Sequence, residues 1–360
     1  MTIEKEKIKV LVVDDSAVAR QTLSEIINSD QELQVIDVAA DPFFAVEKMR
    51  KQAPDVLTLD IEMPRMDGLT FLRQLMSQHP LPVVVISSLT EEGSQTAIKA
   101  LQYGAAEIIT KPKLVTRQFY IESSIRIIDA VKAAAKVSTS KLKEFKDKNT
   151  PISSKYTSEQ LFSLKKINSN LETTDKVVLM GVSTGGPQTL TEILKELNYD
   201  CPPIAIVQHM PEMFTKSFAN RLNEICKITI KEAESYDKML YGQALIAPGN
   251  KHILLKRSGA KYYVEVVDGP LVNRHRPSVD VLFRSAARYA TNNAIGIILT
   301  GMGADGAKGL LEMKEAGAIT IAQEEKSCIV YGMPRVAVEI NAAQKILTPK
   351  QIADFINSIK

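Results

Sequence analysis

The chain has few of the features that mark extracellular, zinc-binding or membrane proteins. It contains three cysteines and no CxxC pair, so neither a disulfide framework nor a structural zinc site is indicated. No apolar run approaches the length of a membrane span, and the charged amino-terminal segment lacks the apolar core of a signal peptide. The formal net charge of +3 is close to balance and does not indicate nucleic acid as a partner. These absences predict a soluble cytoplasmic protein.

The length and composition of the chain indicate two domains. A chain of 360 residues exceeds the usual single-domain size, and 45% hydrophobic residues are enough for two cores. Residues 137–174 are rich in Lys, Ser, Thr and Asn and lack sustained apolar periodicity. We therefore predict a flexible linker there, between a first domain over 1–136 and a second over 175–360.

Both domains are predicted to be doubly wound α/β folds, because β-rich runs alternate with amphipathic helical segments. In the first we expect a flavodoxin-like parallel sheet of order 2-1-3-4-5, with strands at 9–13, 34–38, 56–59, 83–86 and 107–109. In the second, buried strands are predicted at 177–180, 204–207 and 295–299. The turn sequences Pro-Gly-Asn and Ser-Gly predict a small antiparallel element with strands at 245–247, 253–255 and 262–267.

Polar residues follow the predicted strands of the first domain, namely Asp14, Asp15, Asp60, Ser87 and Lys111. Because the carboxyl ends of parallel strands share one edge, these side chains should converge at the switch point of the sheet. Carboxylate oxygens suit Mg²⁺, which would polarise a phosphoryl group arriving on Asp60. Attack by a carboxylate gives an acyl phosphate, with Lys111 supplying positive charge and Ser87 a donor hydroxyl.

The segments VVDDS, LDIEMPRMDG, ISS and TKP resemble the receiver domain of two-component response regulators. The resemblance implies that Asp60 is the phosphoacceptor and that Asp15 and Asp60 bind the metal. It also implies that the Glu62 carbonyl completes the metal site and that Asp14 assists. A histidine kinase is the phosphodonor that such a domain implies.

By the same resemblance, Ser87 and Lys111 are the residues that respond to phosphorylation. Many receivers carry an aromatic residue three positions before this lysine. Here that position is Ile108, so the usual aromatic rotamer switch is not expected.

The second domain contains a candidate nucleophile. In the segment Gly-Val-Ser-Thr-Gly-Gly-Pro, 181–187, the glycines allow a sharp strand-to-helix turn and the proline suits the first helical turn. Ser183 would then lie beside the N–H groups that begin a helix, where a nucleophile and its oxyanion hole can form. A phosphate-binding loop is the alternative, but the Gly-Lys-Ser/Thr of a P-loop is absent.

A serine nucleophile needs a base, and the chain has four histidines. His209 directly follows a predicted buried strand, at the same sheet edge as Ser183, and is the favoured base. His275, in a polar loop before a helix, is the second candidate. His79 and His252 are at an exposed helix end and beside a turn, and are the least suited.

Asp305 is the predicted third member of a catalytic triad with Ser183 and His209, because it follows the strand at 295–299 and reaches the same sheet edge. The resulting chain order is Ser183, His209, Asp305. It differs from the order of the α/β-hydrolases, in which the acid precedes the histidine, so that family is disfavoured.

The loop that carries this acid permits a different interpretation. Residues 301–306, Gly-Met-Gly-Ala-Asp-Gly, match G-x-G-x-x-G after a strand, and Glu324 and Glu325 follow. A regulator that binds a dinucleotide is therefore one alternative function, although it leaves Ser183 and His209 unexplained. A scaffold with an inactive triad is another.

Together, GVSTGGP, QHMP, APGN, NRHRPSVDVLF and LTGMGADGA resemble the catalytic domain of the CheB family of chemotaxis methylesterases. The resemblance implies hydrolysis of glutamate γ-methyl esters on chemoreceptor cytoplasmic domains, with release of methanol, and deamidation of certain glutamines. It implies that Ser183, His209 and Asp305 form a catalytic triad. It also implies Thr184 as a near neighbour and the Met302 N–H as an oxyanion donor, with no metal in the esterase step. A receiver that covers the cleft until it is phosphorylated is implied as well.

Overall fold

The computed structural model describes residues 6–63, 67–88, 90–112, 116–137 and 176–359. They form two α/β units, each built on its own parallel sheet. The predicted linker over 137–174 lies outside the described residues, except for Val137. No helix within the described ranges combines the length and apolarity needed to cross a membrane.

The first unit has a five-stranded parallel sheet of order β2-β1-β3-β4-β5, which confirms the predicted order. The strands are β1 (Ile8–Val13), β2 (Leu33–Ala39), β3 (Val56–Asp60), β4 (Val83–Ser87) and β5 (Glu107–Thr110). The helices are α1 (Ala17–Asn28), α2 (Pro42–Lys51), α3 (Gly68–Gln78), α4 (Glu91–Gln102) and α5 (Arg117–Ala134). Each helix begins at a side chain that accepts a backbone N–H bond, which fixes where it starts. These caps are Ser16, Asp41, Asp67, Thr90 and Thr116.

The second unit has a seven-stranded parallel sheet of order β14-β13-β12-β6-β7-β9-β8 and a separate antiparallel hairpin, β10–β11. The strands are β6 (Val177–Val182), β7 (Ile204–Gln208), β8 (Thr229–Glu232), β9 (Gln243–Ile246), β10 (His252–Ser258), β11 (Lys261–Val267), β12 (Ala294–Ile298), β13 (Ile319–Gln323) and β14 (Lys345–Leu347). The helices are α6 (Gly186–Lys195), α7 (Phe214–Ile225), α8 (Val279–Tyr289), α9 (Ala307–Glu315), α10 (Met333–Glu339) and α11 (Pro349–Asn357). The central strands β6, β7 and β12 are buried along their whole length, as expected for a parallel sheet covered on both faces.

The prediction of an antiparallel strand at 245–247 is wrong. β9 pairs in parallel with β7 on one side and with β8 on the other. The hairpin itself is confirmed by the antiparallel pairing of β10 with β11. The Pro-Gly-Asn turn marks where the chain leaves the main sheet, and turn chemistry alone does not show which strand the preceding segment pairs with.

Helix α8 approaches β6 very closely at its first residue. A Cβ at Gly181, in β6, would lie 2.0 Å from Cγ1 of Val279, which begins α8. Val279 is fully buried. Glycine at 181 therefore allows a contact that brings the first N–H groups of α8 to the carboxyl edge of the sheet.

Candidate functional site

The three predicted carboxylates of the first unit meet at the carboxyl ends of β1 and β3. Asp14 and Asp15 follow β1, and Asp60 is the last residue of β3, which pairs with β1. One oxygen of each carboxylate lies within 4.8 Å of the others. Asp14 and Asp60 are buried, whereas Asp15 is exposed. This set of oxygen donors fits a divalent cation that keeps some of its waters, as Mg²⁺ does.

Lys111 lies against two of these carboxylates. Its Nζ is 2.7 Å from Asp60 Oδ2 and 3.0 Å from Asp14 Oδ2. Burial by itself would lower the pKa of Lys111, but the hydrogen bonds to Asp60 and Asp14 outweigh burial and raise it. Burial raises the pKa of Asp14, although Lys111 acts in the opposite direction. The ammonium group is thus held beside Asp60 as a fixed positive charge.

The other predicted residues of this site lie in the neighbouring loops. Ser87 ends β4 and is buried, with its hydroxyl 3.4 Å from the Gly93 carbonyl. Glu62 donates its backbone N–H to Asp60 Oδ1 at 3.0 Å, and its carboxylate accepts a hydrogen bond from Ser88 at 2.7 Å. Sequence analysis did not identify the contact with Ser88, because it depends on how two loops fold over the sheet edge.

Ser183, the predicted nucleophile, lies where β6 turns into α6. Its N–H donates to the Thr300 carbonyl at 3.0 Å, and its own carbonyl accepts from the Gly186 N–H at 2.8 Å. Gly185 has a φ of 78°, and a Cβ at Gly186 would lie 2.0 Å from Gln208 Oε1. The two glycines therefore permit the turn that holds the buried Ser183 at the start of the helix.

His209 and Asp305 are in direct contact. His209 Nε2 lies 2.9 Å from Asp305 Oδ2, and both side chains are almost fully buried. Among the described residues, His209 Nδ1 has no hydrogen-bond partner. An ionised Asp305 holds the imidazole proton on Nε2, which leaves Nδ1 as the nitrogen that can accept one. Ser183 lines the same cavity as this imidazole without a hydrogen bond to Nδ1 in this conformation.

Asp305 is surrounded by hydrogen-bond donors. Its Oδ1 accepts from Asn273 Nδ2 at 2.8 Å and from the Ser278 hydroxyl at 2.7 Å. Its Oδ2 accepts from the Val279 N–H at 2.7 Å, so the positive end of α8 also faces the carboxylate. Burial by itself would raise the pKa of Asp305, but the hydrogen bonds, that with His209 first, hold it well below its ordinary value. The carboxylate is therefore ionised.

The remaining histidines have other surroundings. His275, the second candidate base, stacks on His209 with ring centroids 3.8 Å apart and planes 9° apart. Burial first, and then the neighbouring His209, lower the pKa of His275 to about 3, so its ring is neutral. His252 is buried between two backbone partners, and His79 is exposed at the end of α3. The stacked ring of His275 fixes the plane of the His209 imidazole.

Packing and backbone conformation explain the glycines of the loop at 301–306. Gly303 has nothing within 4 Å of an added Cβ, but its φ is 88°. A Cβ at Gly301 would lie 2.4 Å from Met333 Sδ, and one at Gly306 would lie 2.4 Å from Val279 Cγ1. Gly306 also has a φ of 89°, immediately before α9. Close packing and a left-handed turn account for this pattern, so it requires no dinucleotide.

A cavity of about 340 Å³ lies between the two units. The second unit lines it with Ser183, Thr184, His209, Met302, Asp305 and the loop 273–277, and the first unit with α5 and residues 107–109. Ile108, at the position where many receivers carry an aromatic residue, therefore faces this cavity. A larger groove of about 910 Å³ near α2 and α3 is lined by the first unit only.

Polar contacts join the two units around this cavity. The Thr184 hydroxyl, next to Ser183, donates to Glu107 Oε2 at 2.6 Å. Burial is the main cause that raises the pKa of Glu107 to about 7. The hydroxyl oxygens of Ser94 and Ser217 are 2.8 Å apart across the same interface. Sequence analysis missed Glu107, because it begins β5 and the strand-end pattern singles out residues that follow a strand.

Comparisons with known proteins identify relatives for both units. A family model described as CheB methylesterase matches residues 178–356, and one described as Response regulator receiver domain matches residues 10–117. Protein-glutamate methylesterase/protein-glutamine glutaminase 3 from Geobacter metallireducens is 58% identical, covering 97% of this chain and 98% of its own. Protein-glutamate methylesterase/protein-glutamine glutaminase 2 from Oleidesulfovibrio alaskensis is 57% identical, covering 94% of this chain and 95% of its own. The crystal structure of the Thermotoga maritima CheB methylesterase catalytic domain has 38% sequence identity and a TM-score of 0.49, covering 50% of this chain and 98% of that one.

Proposed function

The chain belongs to the CheB methylesterase family and contains a response regulator receiver domain, and we propose that it is a phosphorylation-activated protein-glutamate methylesterase and protein-glutamine glutaminase. Its substrates are glutamate γ-methyl esters and certain glutamines on chemoreceptor cytoplasmic domains, and it acts in the cytoplasm. A chemotaxis histidine kinase is the phosphodonor. The observation that carries the proposal is the buried His209–Asp305 pair in the cavity that Ser183 lines.

In the first half-reaction Ser183 attacks the ester carbonyl. Nδ1 of His209 takes the hydroxyl proton, and Asp305 on Nε2 stabilises the imidazolium that forms. The Met302 N–H and the N–H groups that begin α6 are the proposed donors to the oxyanion. His209 then gives its proton to the leaving oxygen, so methanol departs and an acyl-enzyme forms on Ser183.

In the second half-reaction water hydrolyses the acyl-enzyme. His209 removes a proton from the water, whose oxygen attacks the acyl carbon. The bond to Ser183 breaks, the serine oxygen regains a proton from His209, and a glutamate side chain is released. A glutamine follows the same route with ammonia as the leaving group, so one site supports both activities.

In the receiver domain Asp60 is the proposed phosphoacceptor. The carboxylate oxygens around Asp60 fit Mg²⁺, and the proposed ligands are Asp14, Asp15, Asp60 and the Glu62 carbonyl. When bound, the ion would neutralise the cluster and polarise the incoming phosphoryl group. A carboxylate oxygen of Asp60 attacks the phosphorus of the kinase phosphohistidine, the P–N bond breaks, and the imidazole of the kinase leaves. Lys111, already 2.7 Å from the Asp60 carboxylate, pairs with the phosphoryl oxygens.

We assign residues 1–136 to the receiver, 137–174 to a flexible linker and 175–360 to the esterase domain. The composition of the linker supports this division, since it is polar and lacks apolar periodicity. Such a linker keeps two domains at high effective concentration without fixing their geometry, so docked and released states can exchange.

The receiver restrains the esterase domain through β5. A phosphoryl group on Asp60 draws Lys111 and Ser87 inward. Lys111 follows β5 directly, and β5 begins at Glu107, whose carboxylate binds Thr184 beside the nucleophile. A shift of this strand weakens the docked state. With a typical coupling of about 1–3 kcal/mol, phosphorylation should stimulate hydrolysis roughly 5- to 150-fold.

Ser183→Ala should abolish methanol release from a methylated receptor fragment. Loss of a triad serine lowers the rate by a factor on the order of 10⁶, because the hydroxyl that forms the acyl-enzyme is removed. Ser358→Ala, an exposed serine after α11, is the matched control and should keep the wild-type rate. Methanol release near the wild-type rate from Ser183→Ala would exclude this serine as the nucleophile.

Asp60→Asn should abolish labelling of the protein by acetyl phosphate. Removal of Mg²⁺ should abolish labelling of the wild type, since the carboxylate cluster needs its cation. Asp55→Asn, an exposed acid just before β3, should still be labelled. Label retained on Asp60→Asn would place the phosphoacceptor elsewhere.

The docked state should weaken as the pH rises. Docked Glu107 has a pKa of about 7, against an ordinary value of 4.5 for a free carboxyl. The docked state therefore binds this proton more tightly, so the stabilisation is complete below 4.5 and is lost as the pH rises to about 7. The ratio of methanol release with phosphodonor to that without should fall over this interval and then level off.

Glu107→Gln is the control for this pH dependence. The amide oxygen can still accept the hydrogen bond from Thr184, but the group cannot ionise, so the stimulation ratio should not change with pH. Taking the ratio at each pH cancels any effect of pH that the two rates share. The same pH dependence in the variant and the wild type would contradict the assignment to Glu107.

A further inference from the structure

Two ion pairs cross the interface beside the cavity. Arg276 Nη2 lies 3.4 Å from Glu122 Oε2, and Arg274 Nη2 lies 3.1 Å from Asp129 Oδ1. Both acids belong to α5 and are seven residues apart, so they share one face of the helix, about 10.5 Å apart along its axis. Any helix with acids two turns apart can reproduce this spacing.

The esterase domain itself orients Arg276. Asn250 Oδ1 accepts from its Nε at 3.0 Å and from its Nη2 at 2.7 Å, and the Gly269 carbonyl accepts from its Nη1 at 2.5 Å. Only the longest contact, 3.4 Å, goes to Glu122 of the receiver. The guanidinium is thus held in place by its own domain. A preoriented guanidinium loses little side-chain entropy when it binds a carboxylate.

Arg274 is carried by a loop that also contacts the catalytic groups. Asn273 and Arg274 have φ angles of 50° and 70°, and Val272 and His275 exchange backbone hydrogen bonds across them. Asn273 donates to Asp305, and His275 stacks on the catalytic imidazole. The backbone that carries both arginines is therefore fixed relative to the reacting atoms.

The middle of the same α5 face points at the cavity. Arg126 is four residues after Glu122 and three before Asp129, and it lines the cavity together with Ser183 and His209. A helix that replaced α5 with its acids on the two arginines would therefore present its own residue at this position to the nucleophile.

We propose, resting on the function proposed above, that Arg274 and Arg276 bind two acidic side chains of the substrate helix, and that α5 occupies the place of that helix while the receiver is docked. The methylated glutamate then takes the position of Arg126. The partner is an acidic helical segment, because both guanidinium groups now hold carboxylates of a helix. Receiver release and substrate selection thus use the same two arginines.

The test compares helical peptides as substrates of the full chain at saturating phosphodonor. One peptide carries a glutamate methyl ester with Glu four residues before it and three after it, and the matched peptide carries Gln at both places. The wild type should prefer the acidic peptide about tenfold in kcat/KM, mainly through KM, since each ion pair contributes roughly threefold. The preference should disappear in Arg274→Gln/Arg276→Gln. It should persist in Arg284→Gln, whose guanidinium pairs with Glu312 instead.

A charge-reversal variant distinguishes lost recognition of the peptide from structural damage to the loop 273–277. The Arg274→Glu variant should prefer a peptide with Lys three residues after the ester over the acidic peptide. A disordered loop would lose the preference for the acidic peptide but would not reverse it. Equal kcat/KM for the acidic and Gln peptides in the wild type, or an undiminished preference in the double variant, would overturn the inference and leave ester hydrolysis standing. If the wild type hydrolyses none of these peptides, the proposed function itself is overturned.

Discussion

The short segment from Glu107 to Lys111 is the constraint on which both sites depend. At its start the Glu107 carboxylate accepts a hydrogen bond from Thr184 at 2.6 Å, and at its end Lys111 lies 2.7 Å from Asp60. Between them, β5 is paired with β4 and largely buried. An extended, paired strand of this length has little freedom to absorb a displacement at one end. A change of charge at Asp60 can therefore reach Thr184, next to the proposed nucleophile Ser183, through one strand.

Two carboxylates near the cavity show how surroundings decide charge. Asp305 accepts hydrogen bonds from an imidazole, an amide, a hydroxyl and the start of α8, and its pKa lies well below the ordinary value. Among the described residues, Glu107 accepts one hydrogen bond, from Thr184, and burial raises its pKa to about 7. The two pKa values differ because Asp305 accepts more hydrogen bonds than Glu107 does. An ionised Asp305 suits the task of orienting His209, whereas a carboxyl that protonates readily can enter an interface at small cost.

The position of polar residues after buried strands predicted which side chains lie together at each sheet edge, because the carboxyl ends of parallel strands meet there. Asp60 lies with the other acids there, and His209 contacts Asp305. Contacts between the domains could not be predicted this way, since they depend on how one folded surface meets another. Glu107 is the clearest example, because it begins its strand. The parallel pairing of β9 was missed because strand partners are set by the whole sheet rather than by the adjacent turn.

Locking the receiver to the esterase domain tests most directly whether docking restrains the active site. Ser94 on α4 and Ser217 on α7 have hydroxyl oxygens 2.8 Å apart, so cysteines at these positions are placed to form a disulfide. Oxidised S94C/S217C protein should release methanol at the unphosphorylated rate whether or not phosphodonor is present, and reduction should restore stimulation. Full stimulation of the oxidised, cross-linked protein would contradict the account.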